Sequence, residues 1–74
     1  GADGLIQAKF DIVGFQVKLP TGASLSVKGD RFDNKTLAAI KKLKQGNTIN
    51  LMYIKAKGPD GKEIQLRGLP IELN

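Results

Sequence analysis

The chain has no cysteine, histidine or tryptophan, and only one tyrosine and three phenylalanines in 74 residues. Without cysteine, no disulfide can staple the fold and no thiolate can act as nucleophile or metal ligand. That usage is common in the cytosol, yet it excludes neither compartment. Without histidine, acid–base chemistry at neutral pH would fall to a tuned carboxylate, lysine or tyrosine. Ser24 and Ser26 have no imidazole anywhere to activate them, so a serine triad is excluded. No run of about 18 apolar residues is present, so no segment reads as a transmembrane helix. No signal-peptide pattern is visible either, and Gly1 reads as a cloning remnant.

What is present is modest in size and basic. Seventy-four residues suffice for one domain, which at this length buries only about 60% of the surface its unfolded chain exposes. Residues 8–74 are expected to form that domain, with 1–7 a disordered or cloning-derived N-terminal stretch. Twelve Lys and Arg against seven Asp and Glu give a net charge of +5, which raises nucleic acid as a partner class. The seven carboxylates are scattered, with no two spaced as an acid–base pair.

Hydrophobic periodicity predicts five strands and one helix in the order β-β-α-β-β-β. Ala8 to Leu19 alternates as a strand, but its apolar parity slips at Ile12-Val13-Gly14, which predicts a bulge or bend. Pro20 to Ser24 is a turn, and Leu25 and Val27 mark a short second strand ended by Gly29-Asp30. Asp33 then offers a carboxylate N-cap, with Phe32 and Leu37 at hydrophobic-staple spacing. The helix is expected from Asn34 to Gln45, with Leu37, Ile40 and Leu43 as its apolar stripe and Gly46 at C′. Thr48 to Lys57 is the strongest strand. Ile49, Leu51 and Tyr53 are expected on one face and Met52, Ile54 and Ala56 on the other, which puts the strand inside the fold.

Gly58-Pro59-Asp60-Gly61 is expected as a type I turn followed by a left-handed glycine, closing a hairpin with a G1 bulge. The register this sets pairs Gly58 with Lys62, Lys57 with Glu63, Ala56 with Ile64 and Ile54 with Leu66. One residue tighter, Lys57 would oppose Lys62; cross-strand pairs contribute up to about 1 kcal/mol each and like charges oppose pairing, so the bulged register wins. After Gly68 the apolar parity changes again, and Pro70 opens a last edge strand through Ile71 and Leu73. The fold class is therefore α+β, mostly β: a small antiparallel sheet or sandwich of about five strands with one covering helix.

No motif here carries catalysis or binds a cofactor or metal. Gly58 to Lys62 has the G-x-x-G-K of a phosphate loop without its full spacing or its strand–loop–helix setting. Asp30, Asp33 and Asn34 lack the alternating oxygens of a calcium loop. Lys35, Lys41, Lys42 and Lys44 form a basic helix face that could track phosphates. With the phenylalanines at core positions, only Tyr53 is left as a stacking platform, so nucleic acid ranks below a solvated rim. Protein binding by strand addition needs no catalytic residue. The candidate edges are Leu25, Ser26 and Val27, and Ile71, Glu72 and Leu73, with the N–H groups of Val27 and Glu72 expected to face outward.

Phe10-x-Ile12-x-Gly14-Phe15, Gly29-x-x-Phe32, Ile40-x-x-Leu43-Lys44-x-Gly46 and Ile54-x-Ala56-x-Gly58-Pro59-Asp60-Gly61 with Leu66 following resemble the C-terminal domain of the gliding-motility protein GldM. PorM of the type IX secretion system is similar. The resemblance spans roughly residues 8–73. It implies an immunoglobulin-like, non-catalytic periplasmic module of Bacteroidetes, the docking end of an inner-membrane-anchored protein that passes force to outer-membrane-associated protein partners. It also implies a homodimer in the full-length protein, with membrane association only through other parts of that protein. The alternative is an adaptor or sensor ectodomain on another Bacteroidetes membrane protein, such as an antirepressor-like peptidase. No cofactor or small-molecule substrate is implied.

Overall fold

In a computed structural model, described over residues 10–74, the chain forms one open antiparallel sheet of five strands with one helix. The elements are β1 (Asp11–Lys18), β2 (Ser24–Lys28), α1 (Asn34–Lys41), β3 (Thr48–Lys57), β4 (Glu63–Leu66) and β5 (Leu69–Glu72). This is the mostly β, α+β class and the element order expected from periodicity. Of sheet and sandwich, the strands take the single sheet. The expected start of the first strand at Ala8 and the N-terminal stretch 1–7 lie outside the described residues.

The sheet order is β2-β1-β3, with β4 and β5 both on the far side of β3. β4 pairs with the C-terminal half of β3, from Ile54↔Leu66 to Lys57↔Glu63. β5 pairs with the N-terminal half, from Leu51↔Leu69 to Thr48↔Glu72. The two short strands thus continue a single register along β3, interrupted at Arg67-Gly68. The hairpin turn forms as expected: Gly61 N–H donates to Gly58 C=O at 2.9 Å, Gly58 N–H to Lys62 C=O at 3.0 Å, and Gly61 has a φ of 80°. Asp60 Oδ1 accepts from the Lys62 N–H at 3.0 Å.

The parity slips have a common cause. In β3, Ile49 is buried and Leu51 half-buried on odd numbers, then Ile54 and Ala56 are buried on even numbers. Between them Tyr53 adopts a φ of 51°, a left-handed conformation costly for a non-glycine residue. The turn it introduces moves the inward side from odd to even residues. β1 makes the matching adjustment, with register shifts on both sides of Gly14. The break between β4 and β5 makes it on the other flank. β3 is therefore not apolar on two faces as expected: Ile49, Leu51, Ile54 and Ala56 share one. The break also needs a glycine, because a Cβ on Gly68 would stand 2.5 Å from the Leu51 carbonyl oxygen.

The helix covers one half of that apolar face. Val17, Leu19, Val27 and Ile49 form the buried centre, with Phe32, Ala39, Ile40, Leu43, Ile71 and Leu73 packed around it. Burying a side chain such as Ile49 contributes about 1.5–3 kcal/mol. The inward helix face runs through Thr36, Ile40 and Leu43, whereas Leu37, expected on the stripe, is exposed. Phe32 packs edge-on against Phe15, ring centroids 5.8 Å apart. The helix ends at Lys41, four residues before the expected Gln45. There Lys42 and Leu43 N–H groups donate to Ala39 and Ile40 carbonyls, turning Leu43 inward. Gly46 belongs to a second turn, where Asn47 Oδ1 accepts from Lys44 N–H and Gly46 N–H donates to Leu73 C=O.

Candidate docking surface

Among the described residues, two features of the sheet stay exposed: its edges and the half of its apolar face that the helix leaves uncovered. Among the described residues β2 forms one edge, since it pairs there only with β1. Leu19 N–H donates to Ala23 C=O, and Gly29 N–H donates to Val13 C=O. In an antiparallel pair such bonds alternate along the strand, so the odd residues of β2 bond to β1 and the even ones face outward. Ser24, Ser26 and Lys28 thus present their backbone groups and exposed side chains to solvent. Val27 does not: its N–H points to β1 and its side chain is buried in the core. The outward group lies one residue earlier, at Ser26.

β5 lies on the opposite edge. Leu73 N–H donates to Asn47 C=O, so odd residues bond inward and Pro70 and Glu72 face outward. Pro70 sits where its missing N–H costs no ladder bond, and it leaves that edge short of a donor. Leu25, Ile71 and Leu73, like Val27, turn their side chains into the core, leaving the backbone and the side chains of Ser26 and Glu72 exposed. The two candidate edges fall on opposite sides of one sheet and are not brought together. Lys35, Lys41, Lys42 and Lys44 are all exposed on α1 and the turn after it.

Periodicity gave no sign of the second feature. Beyond the end of α1's cover, the sheet carries an open groove of about 540 Å³. Its floor is Ile12 and Phe15 of β1 with Leu51 and Ile54 of β3, and Leu66 and Leu69 form one wall. Phe32 closes the end nearest the helix, and Asp30, Arg31 and Arg67 stand at the rim. The change of parity at Tyr53 assembles it by bringing Leu51 and Ile54 onto one face. Seen without that change, these residues are assigned to opposite faces, which hides the groove in the sequence.

Neither feature converges reactive groups. Asp33 is engaged as the helix cap, its Oδ1 accepting the Thr36 N–H at 2.8 Å. Hydrogen bonds from the Thr36 hydroxyl and then from its N–H hold the Asp33 carboxyl below its ordinary value of 3.8. Among the described residues, no three His, Cys, Asp or Glu side chains gather where a metal ion could be held.

The family model for the GldM C-terminal domain matches residues 2–74. The chain belongs to that family. No curated protein matches the chain. Membership associates this GldM C-terminal domain with the gliding-motility and type IX secretion machinery, an assembly of interacting proteins, and its β-rich sheet fits an immunoglobulin-like description. The family is that of a machinery component and an extracytoplasmic part of an inner-membrane protein. No helix among the described residues is long and apolar enough to cross a membrane.

Proposed function

We propose that this GldM C-terminal domain, residues 8–74, is a non-catalytic docking module acting in the periplasm, where it holds a protein partner of the gliding and secretion machinery by strand addition. One observation supports the reading above the others: β2 is an edge strand with three successive outward positions, Ser24, Ser26 and Lys28, and no proline among them. An extended segment of a partner could continue the sheet there through main-chain hydrogen bonds. The β5 edge, with Glu72 and Pro70 outward, offers a weaker second site. The lysines on the helix serve as a rim that steers approach, and the homodimer of the full-length protein would present two such modules.

The test is a pair of prolines. Ser26→Pro removes an outward donor and should abolish partner binding while leaving the thermal midpoint close to that of the parent. Glu72→Pro tests the β5 edge in the same way. Val27→Pro, by contrast, removes a ladder bond inside the core and should unfold the domain. Undiminished partner binding by both folded edge variants overturns strand addition.

A further inference from the structure

Resting on the docking reading, we propose that the groove beside α1 is the anchor site for a partner segment that carries bulky apolar side chains flanked by carboxylates. The groove is apolar on its floor, along the Leu66 and Leu69 wall and at the Phe32 end, and at about 540 Å³ it has room for more than one large side chain. Leu66 and Leu69 remain 36% and 45% exposed, which leaves apolar surface that the described residues do not cover. Continuous apolar surface bordered by charge is the composition of an interface centre with a polar rim.

The charge of the rim selects the occupant. Two arginines and one aspartate border the groove, on a chain whose net charge is +5. Asp30 reaches Arg31 only at 3.9 Å, between side chains that are 69% and 92% exposed, so it neutralises that arginine weakly. Guanidinium groups accept carboxylates in forked, bidentate pairs, and a partner supplying them gains where a neutral or basic one does not. A second copy of this chain is the wrong occupant. It would bring the same arginines and the same excess of positive charge to an interface that two-fold symmetry makes self-facing.

The groove and the β2 edge are separate surfaces, so their contributions can be told apart. The probes are a capped peptide, Glu-Glu-Leu-Phe-Leu-Glu-Glu, and its twin with lysine at every glutamate. Each is titrated into the ¹⁵N-labelled 74-residue chain. The acidic peptide should move the amide signals of Phe15, Leu51, Ile54 and Leu66, and the lysine twin should bind roughly tenfold more weakly. The double variant Arg31→Glu, Arg67→Glu changes two exposed side chains and should invert that preference. Equal binding of the two peptides overturns the acidic partner, and no response to either at millimolar concentration overturns the anchor site. Groove signals that move on dilution of the chain alone would assign the surface to a second copy instead. Shifts confined to Ser24, Ser26 and Lys28 would remove the groove but leave strand addition standing. Loss of the groove response together with full partner binding by the proline edge variants would remove both.

Discussion

Tyr53 holds a φ of 51° in the middle of the longest strand, and the residue is 52% exposed. A left-handed residue of this kind costs about 1–2 kcal/mol, and burial returns little of it here. The return comes from elsewhere, because the turn at Tyr53 lets Ile54 and Ala56 bury on the same side as Ile49. Asparagine tolerates this conformation and valine does not. Tyr53→Asn should therefore be more stable than Tyr53→Val by about 1 kcal/mol, although valine is the better strand former. Urea unfolding of the two variants checks it; a more stable valine variant would mean the strand straightens when the tyrosine is removed. The slip at Ile12-Val13-Gly14 was legible as a bulge because glycine marks it. The matching one at Tyr53 was not, because tyrosine gives no local signal of a positive φ.

Among the elements, the hairpin from β3 into β4 was the most legible. Gly58-Pro59-Asp60-Gly61 fixes a turn type, the turn type fixes a register, and the pairs from Lys57↔Glu63 to Ile54↔Leu66 follow. The helix was legible at its start and not at its end. Asp33 caps it as expected, with backbone φ and ψ of −81° and 175°. Because the folded Asp33 pKa lies below the ordinary 3.8 of an unfolded chain, its contribution to stability is fully present above that value. It is lost as pH falls through the depressed folded value. The stability gap between the parent and Asp33→Ala should thus be constant from neutral pH down to the ordinary carboxylate range and close in stronger acid. Thermal melts across that range test it, and a gap that persists unchanged would mean the charge of the cap contributes nothing. The far end of the helix was not legible because Lys42 to Gln45 are helix-compatible residues. Leu43 turns into the core and Leu73 captures the Gly46 N–H, and neither pull is local.

At the scale of the whole molecule, one face of a five-stranded sheet is only half covered by a helix of eight residues. The uncovered half and the β2 edge are the surfaces that the proposed docking would use, while the lysines on α1 and the turn after it lie outside both. Charges at such a rim change the rate of encounter more than the lifetime of a complex. Reversing Lys35, Lys41, Lys42 and Lys44 to glutamate should slow association with an acidic partner roughly tenfold at low salt, with dissociation nearly unchanged. Stopped-flow or biosensor kinetics separate the two rates. A faster dissociation with unaltered association would place these lysines inside the interface.

The sequence by itself determined the number and order of elements, the capped start of the helix, the hairpin register and the absence of histidine- or thiol-based chemistry. All of these follow from local periodicity, turn geometry and composition. Only the tertiary structure decided which side each half of β3 presents, where the helix stops, that β4 and β5 run as one broken strand, and that a groove lies between Phe32 and Leu66. The helix end depends on distant contacts of Leu43 and Gly46, and the other outcomes depend on the backbone rotation at Tyr53 and on the break at Gly68, which the neighbouring strands must match. No single segment encodes a rotation that is favourable only once its neighbours have made the same one.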